Sequence, residues 1–125
     1  MNPTLLNGST LAFIGDAVLS LWVREYLVTQ GLTKANDLQK KSVQYVSANA
    51  QAQFMQTLLN ENFLNEEENL IYLRGRNHKS HSKAKNADVV SYRVATGFEA
   101  LIGYWHLTKN ETRLTQVWDR LKTTQ

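Results

Sequence analysis

Two carboxylates in this chain stand among apolar residues. Asp16 lies in the run LAFIGDAVLSLWV, and Glu99 lies in the run TGFEALIGYW. A carboxylate in apolar surroundings is costly unless it is paired, hydrogen-bonded or bound to a metal. If the two acids converge, they must share either a proton or a cation. Mg²⁺ is the cation that favours oxygen ligands and keeps several waters, so the pattern predicts a metal site that could hydrolyse a phosphodiester with an activated water.

The same two acids also admit a structural interpretation. Arg24, Arg93 or backbone N–H groups could satisfy Asp16 and Glu99 inside the fold, and the residues alone favour neither alternative. Ser20 lies one helical turn after Asp16, and Thr96 lies one turn before Glu99. We predict that these two hydroxyls hydrogen-bond to the carboxylates or to their waters.

Positive charge is concentrated in one segment. Between positions 74 and 85 there are five basic residues and no acidic one, whereas the remainder of the 125-residue chain has nine Lys and Arg against eleven Asp and Glu. Such a local cluster is typical of a surface that binds a polyanion, and we predict an RNA-binding segment here. A solvated loop with incidental charge is the alternative. The predicted RNA-binding residues are Arg74, Arg76, Lys79, Lys83 and Lys85.

The elements that must position these residues are predicted to be helices. The chain has one proline and no sustained alternation of polar and β-branched residues, so we expect an all-α fold. The first helix is predicted to begin near Ser9 or Thr10 and to end at Gly31. The later predictions are an N-cap at Thr33, a bend within Ser42–Ser47, an N-cap at Asn65, a loop over His78–Ala87, a cap at Asp88 and a last helix over Glu111–Leu121.

The first helix and the Val89–Leu107 helix are apolar on nearly every side, which predicts that both lie in the middle of the fold. Gly15 and Gly103 lie near the two acids, and glycine within a helix is usually accepted for a close helix contact. We therefore expect Asp16 and Glu99 to face each other. The first helix also has more apolar surface than one small domain covers, which predicts a two-fold dimer contact.

Composition narrows the class of protein. Apolar residues make up 42% of the chain and charged residues 20%, which is ordinary for one globular domain spanning 1–125. The absence of cysteine excludes disulfides and thiolate metal sites. The sequence shows no apolar run of transmembrane length and no signal-peptide pattern, so no membrane partner and a cytoplasmic location are the expectations.

Both motifs resemble a known family. LAFIGDAVLSLWVREYL resembles the signature helix of the ribonuclease III family, and ATGFEALIGYWHL resembles its second catalytic helix. The resemblance covers the whole chain and leaves no sequence for the double-stranded-RNA-binding domain that usually follows. In lacking that domain, the chain resembles the small bacterial branch called Mini-ribonuclease III. It also resembles this branch in the pattern RGRN…K…KN…YR…TGFEALIGY.

The resemblance implies an all-α endonuclease domain of about six to seven helices around one core. It implies a homodimer that uses Mg²⁺, with Mn²⁺ as a substitute, to cut double-stranded RNA, leaving 5′-phosphates and a short 3′ overhang. Asp16 and Glu99 match two of the family's metal-ligating, catalytic positions. Ribosomal RNA maturation, with a 23S precursor as substrate and a ribosomal protein as a further partner, is the implied role.

The chain departs from the family pattern at two acidic positions. Larger members have Glu where this chain has Ala12, and Asp where it has Thr96. Fewer carboxylates predict more water ligands and weaker metal binding. The two departures also leave an alternative function open, namely a catalytically inactive ribonuclease III-like scaffold that binds RNA.

Overall fold

The computed structural model describes residues 1–78 and 88–125. These residues contain six α-helices and no strand, which confirms the predicted all-α class. No helix among them is long and apolar enough to cross a membrane. A short 3-10 helix over Pro3–Leu5 precedes α1 (Gly8–Thr29), α2 (Ala35–Val46), α3 (Ala48–Asn60), α4 (Glu66–Arg76), α5 (Asp88–Leu107) and α6 (Glu111–Leu121).

Side-chain caps set several of the helix boundaries. Asn65 forms a capping box with Glu68 at the start of α4, which confirms the predicted N-cap at Asn65. Ser47 ends α2 and caps α3, so the predicted bend is a break between two helices. The predicted N-cap at Thr33 is wrong, because α2 begins at Ala35 and the residue before it, Lys34, forms no side-chain cap.

The backbones of α1 and α5 approach each other closely at two glycines. A Cβ atom added to Gly15 would lie 1.7 Å from the carbonyl oxygen of Glu99, and one added to Gly103 would lie 1.9 Å from the carbonyl oxygen of Leu11. No side chain fits at either position, so only glycine permits this approach. The predicted close contact between the two apolar helices is confirmed.

The helix α5 forms the centre of the core and packs against α1, α3 and α4. Its residues Phe98, Leu101, Ile102 and Trp105 have no exposed surface. Burying such large apolar side chains contributes about 1.5–3 kcal/mol each. The prediction that this helix is buried is therefore confirmed.

The helix α1 is buried on one side only. Leu11, Leu19 and Val23 belong to the core, whereas Phe13 is 78% exposed and Leu21 is 57% exposed. The prediction that this helix lies in the middle of the fold is wrong for the described residues, and Asp16 is exposed. The reason is that α1 lies at the surface of the domain, where no helix of residues 1–78 and 88–125 covers its outer apolar side.

A buried ion pair fixes α6 to the core. Glu68 is 4% exposed and accepts hydrogen bonds from Arg113 Nε at 2.8 Å and from Trp105 Nε1 at 2.9 Å. Burial alone would raise the pKa of Glu68, but the hydrogen bonds from Arg113, the Asn65 backbone and Trp105 lower this pKa below its usual value. The interaction joins α4, α5 and α6.

Candidate active site

A shallow cleft of about 340 Å³ opens beside the contact between α1 and α5. It contains both of the carboxylates that the sequence singled out. Its lining residues are Ser9, Ala12, Phe13, Asp16, His78, Tyr92, Thr96 and Glu99.

The glycine contact explains why the two acids meet. Gly15 packs directly on the backbone of Glu99, and Asp16 is the next residue along α1. The helix axes are therefore held at a fixed separation where the two side chains emerge. Asp16 and Glu99 line the same cleft, and the Asp16 carboxyl is near enough to raise the pKa of Glu99, which confirms the predicted convergence.

Glu99 is an unusual acid. Its pKa is raised to about 8, chiefly by burial and further by the neighbouring Asp16 carboxyl, while a hydrogen bond from Gln51 acts in the opposite direction. At neutral pH Glu99 therefore retains a proton in the metal-free protein. A divalent cation between the two carboxylates would take the place of that proton.

The donor set suits a hard cation that keeps most of its water. Two carboxylates supply only oxygen ligands, and the exposed position of Asp16 leaves room for solvent. Among residues 1–78 and 88–125 no group of three His, Asp or Glu side chains could hold a metal ion. These residues thus fit a cation with two protein ligands and not a closed, all-protein site.

The structural alternative, in which arginines neutralise the acids, is wrong for the described part of the chain. The ion pairs found there join Arg113 to Glu68, Arg120 to Glu61, and Lys122 to Asp119. Neither Arg24 nor Arg93 forms one with Asp16 or Glu99.

Gln51 contacts the site although the sequence reasoning did not predict it. Its Nε2 donates to Glu99 Oε2 at 3.2 Å and to the Val46 carbonyl oxygen at 2.9 Å. A signal was present in the sequence, because Gln51 shares the i, i+4, i+7 spacing of Met55 and Leu58 and so lies on the core side of α3. A glutamine on that side of a helix requires a polar partner.

The two predicted hydroxyl partners do not bond to the carboxylates. Thr96 lines the cleft, but its Oγ1 donates to the Tyr92 carbonyl oxygen at 2.9 Å within α5. Ser20 is half-buried one turn from Asp16 and makes no hydrogen bond to either acid. The prediction of direct contact is therefore wrong, since Thr96 bonds within its own helix and Ser20 bonds to neither acid, while contact through water stays a prediction.

The described part of the basic segment has partners within the protein. Arg74 Nη1 donates to the carbonyl oxygens of Thr4 at 2.7 Å and Leu6 at 2.9 Å, and so holds the N-terminal segment against α4. Arg76 is half-buried and donates to Asn77 Oδ1 at 3.2 Å. Their predicted contacts with RNA stay predictions. The predicted RNA-binding residues Lys79, Lys83 and Lys85 lie outside the described residues.

Comparisons with known proteins give a consistent result. The model of the ribonuclease III domain matches residues 9–110. The chain is 54% identical to a Mini-ribonuclease 3 of Enterococcus faecalis, over 90% of this chain and 85% of that protein. It is also 54% identical to a Mini-ribonuclease 3 of Streptococcus pneumoniae, over 91% of this chain and 89% of that protein.

A more distant relative and a solved structure agree with these matches. A Mini-ribonuclease 3 of Staphylococcus aureus is 46% identical over 95% of this chain and 89% of its own length. The crystal structure of protein FN1578 from Fusobacterium nucleatum superposes with a TM-score of 0.81 at 30% identity. That superposition covers 94% of this chain and 92% of the other.

Proposed function

The chain belongs to the ribonuclease III family and is an endoribonuclease for double-stranded RNA, and we propose that it cuts its substrate with Mg²⁺ held by Asp16 and Glu99. Mn²⁺ can substitute, and the products carry 5′-phosphates. The observation that carries the proposal is that two carboxylates from different helices line one solvent-open cleft. The branch of the family is that of the Mini-ribonuclease 3 relatives.

Asp16 and Glu99 act as the cation ligands. When bound, the cation neutralises phosphate charge and lowers the pKa of water, so that water can attack phosphorus. The glycine contact between α1 and α5 holds the ligands at a fixed separation, which removes reorganisation from the reaction. The exposed position of Asp16 lets a phosphate of a bulky duplex reach the cleft.

A homodimer accounts for the apolar outer side of α1. Phe13, Ala17, Leu21 and Val28 are exposed along this side at spacings close to whole helical turns. Phe13 also lines the cleft. A two-fold contact through these residues covers them and places two sites on one duplex, one for each strand.

The proposed substrate is structured RNA, with precursor 23S ribosomal RNA as the natural one and a ribosomal protein as a partner that presents it. The proposed location is the cytoplasm. The basic residues between positions 74 and 85 support RNA as the partner, because duplex RNA is recognised mainly through its shape, phosphates and 2′-hydroxyls. Phosphate contacts of this kind make affinity fall steeply with salt.

A scaffold that binds RNA without cutting it is the second candidate. The observation in its favour is that Ala12 and Thr96 both line the cleft, so the two positions without acids are in the site. These positions lower the number of carboxylates available to a cation.

One experiment separates the candidates. Long duplex RNA is incubated with Mg²⁺ and with wild type, Asp16→Asn or Glu99→Gln, and binding is measured in parallel. Loss of cleavage with retained binding in both variants supports the enzyme. Binding without cleavage by the wild type would instead support the scaffold, and absence of both activities would contradict either function.

A further inference from the structure

Gln51 is a buried polar residue in the first turn of α3. Only 3% of its surface is exposed, and it shares the core side of the helix with Met55 and Leu58. A neutral amide in this position must be hydrogen-bonded to be tolerated. Its partners therefore indicate what it does.

Both partners of the Gln51 amide are acceptors. Nε2 has two hydrogens, and it donates to Glu99 Oε2 at 3.2 Å and to the Val46 carbonyl oxygen at 2.9 Å. The reversed amide would set Oε1 against two oxygens, so the orientation of the group is determined by its surroundings. Oε1 is buried without a hydrogen-bond partner among residues 1–78 and 88–125, and the amide thus gives up one hydrogen bond to keep the other two.

From this geometry we infer that Gln51 is a positioning residue for the cation site, because it fixes the carboxylate of Glu99 in the orientation that meets Asp16. This inference rests on the proposed function. The contact with Val46 anchors the amide at the end of α2, so the orientation of Glu99 is set by two helices besides its own. Groups that orient a metal ligand typically change metal affinity or activity about 10–100-fold when removed.

A purely structural role predicts a different result. If Gln51 only caps the last carbonyl groups of α2, its replacement lowers the stability of the metal-free protein and leaves cation binding alone. If it positions Glu99, its replacement weakens cation binding while the affinity for RNA is unchanged. The two roles can therefore be measured separately.

The test compares Gln51→Met with the matched control Gln53→Met. Met keeps a similar length without donors, and Gln53 is an exposed glutamine on the same helix. The measurements are Mg²⁺ affinity by calorimetry without RNA, the Mg²⁺ concentration for half-maximal cleavage, and duplex affinity without Mg²⁺. For Gln51→Met we expect Mg²⁺ binding to weaken about 10-fold with unchanged duplex affinity, and no change for the control. Mg²⁺ affinity within two-fold of wild type would overturn the inference.

A second measurement uses the wild type and so does not depend on the variant folding. The side-chain amide resonances of Gln51 should shift as Mg²⁺ is added, with the midpoint of cation binding, whereas those of Gln53 should not. Resonances of Gln51 that stay fixed at saturating Mg²⁺ would overturn the inference while leaving the proposed function intact. A wild type that neither binds Mg²⁺ nor cuts RNA would overturn both.

Discussion

Replacing Glu99 by Gln should stabilise the metal-free protein while abolishing cleavage. In the folded chain Glu99 has a pKa of about 8, against 4.5 for an ordinary glutamate, because of burial and the neighbouring Asp16. Glutamine has no charge to desolvate, and its oxygen can still accept the hydrogen bond from Gln51. The variant therefore removes the penalty and keeps the packing.

The sign and the size of the effect follow from the raised pKa. Glu99 of the unfolded chain loses its proton near pH 4.5, whereas Glu99 of the folded protein keeps its proton up to about pH 8. The free energy of unfolding is therefore highest below about pH 4.5 and falls as the pH rises through about 8. At about 1.4 kcal/mol per pKa unit, the penalty approaches about 3 kcal/mol near pH 7. Because Asp16 is exposed and Glu99 only half-buried, water screens part of this penalty, and we expect a difference of about 1–2 kcal/mol.

The assay is urea denaturation of wild type and Glu99→Gln in EDTA at about pH 5, 7 and 8.5. The advantage of the variant should grow with pH, because only the wild type carries the penalty. Adding Mg²⁺ at pH 7 should stabilise the wild type and leave the variant unchanged, since ligands stabilise the state that binds them. A difference between the two proteins that stays constant with pH would refute the reasoning.

Three further predictions concern the surroundings of the site. Gly15→Ala should lower stability by about 3 kcal/mol or more in thermal unfolding, because its Cβ would meet the Glu99 carbonyl at 1.7 Å; an unchanged melting temperature would contradict the helix contact. Arg113→Met should cost about 3–5 kcal/mol in denaturation at pH 7 by leaving Glu68 buried without its cation, and less in acid, where the Glu68 of the variant takes up a proton. Phe13→Glu should give a monomer in sedimentation and reduce cleavage of duplex RNA, and a dimer of unchanged affinity would exclude the outer side of α1 as the interface.

The sequence predicted the pairing of Asp16 with Glu99 because each acid interrupts an apolar helix and each has a nearby glycine. It did not predict that Asp16 is exposed. Apolar residues on all sides of a helix indicate that the helix is covered. They do not indicate whether the covering residues belong to the same chain or to a second copy. The exposure of Phe13 and Leu21 shows that the difference matters for α1.

The sequence also did not predict the polar contacts between segments that are far apart in the chain. Helical periodicity reports which residues share a side of one helix, and it does not report which residue of another helix they meet. The predicted N-cap at Asn65 is confirmed by its capping box with Glu68, which is a local contact within one helix. The buried contact of Glu68 with Arg113 depends on how α6 packs, and nothing local to either residue encodes that arrangement.

Two features that lower stability are found together at the α1–α5 contact. The Glu99 carboxyl is buried beside the carboxyl of Asp16, and the amide oxygen of Gln51 has no hydrogen-bond partner among the described residues. Natural proteins keep such local violations mainly where function requires them. A fold selected for stability alone would exchange Glu99 at little structural cost, as the isosteric change Glu99→Gln illustrates. Their coincidence at one contact therefore argues for a functional role of the two acids over a structural one, independently of any resemblance to other proteins.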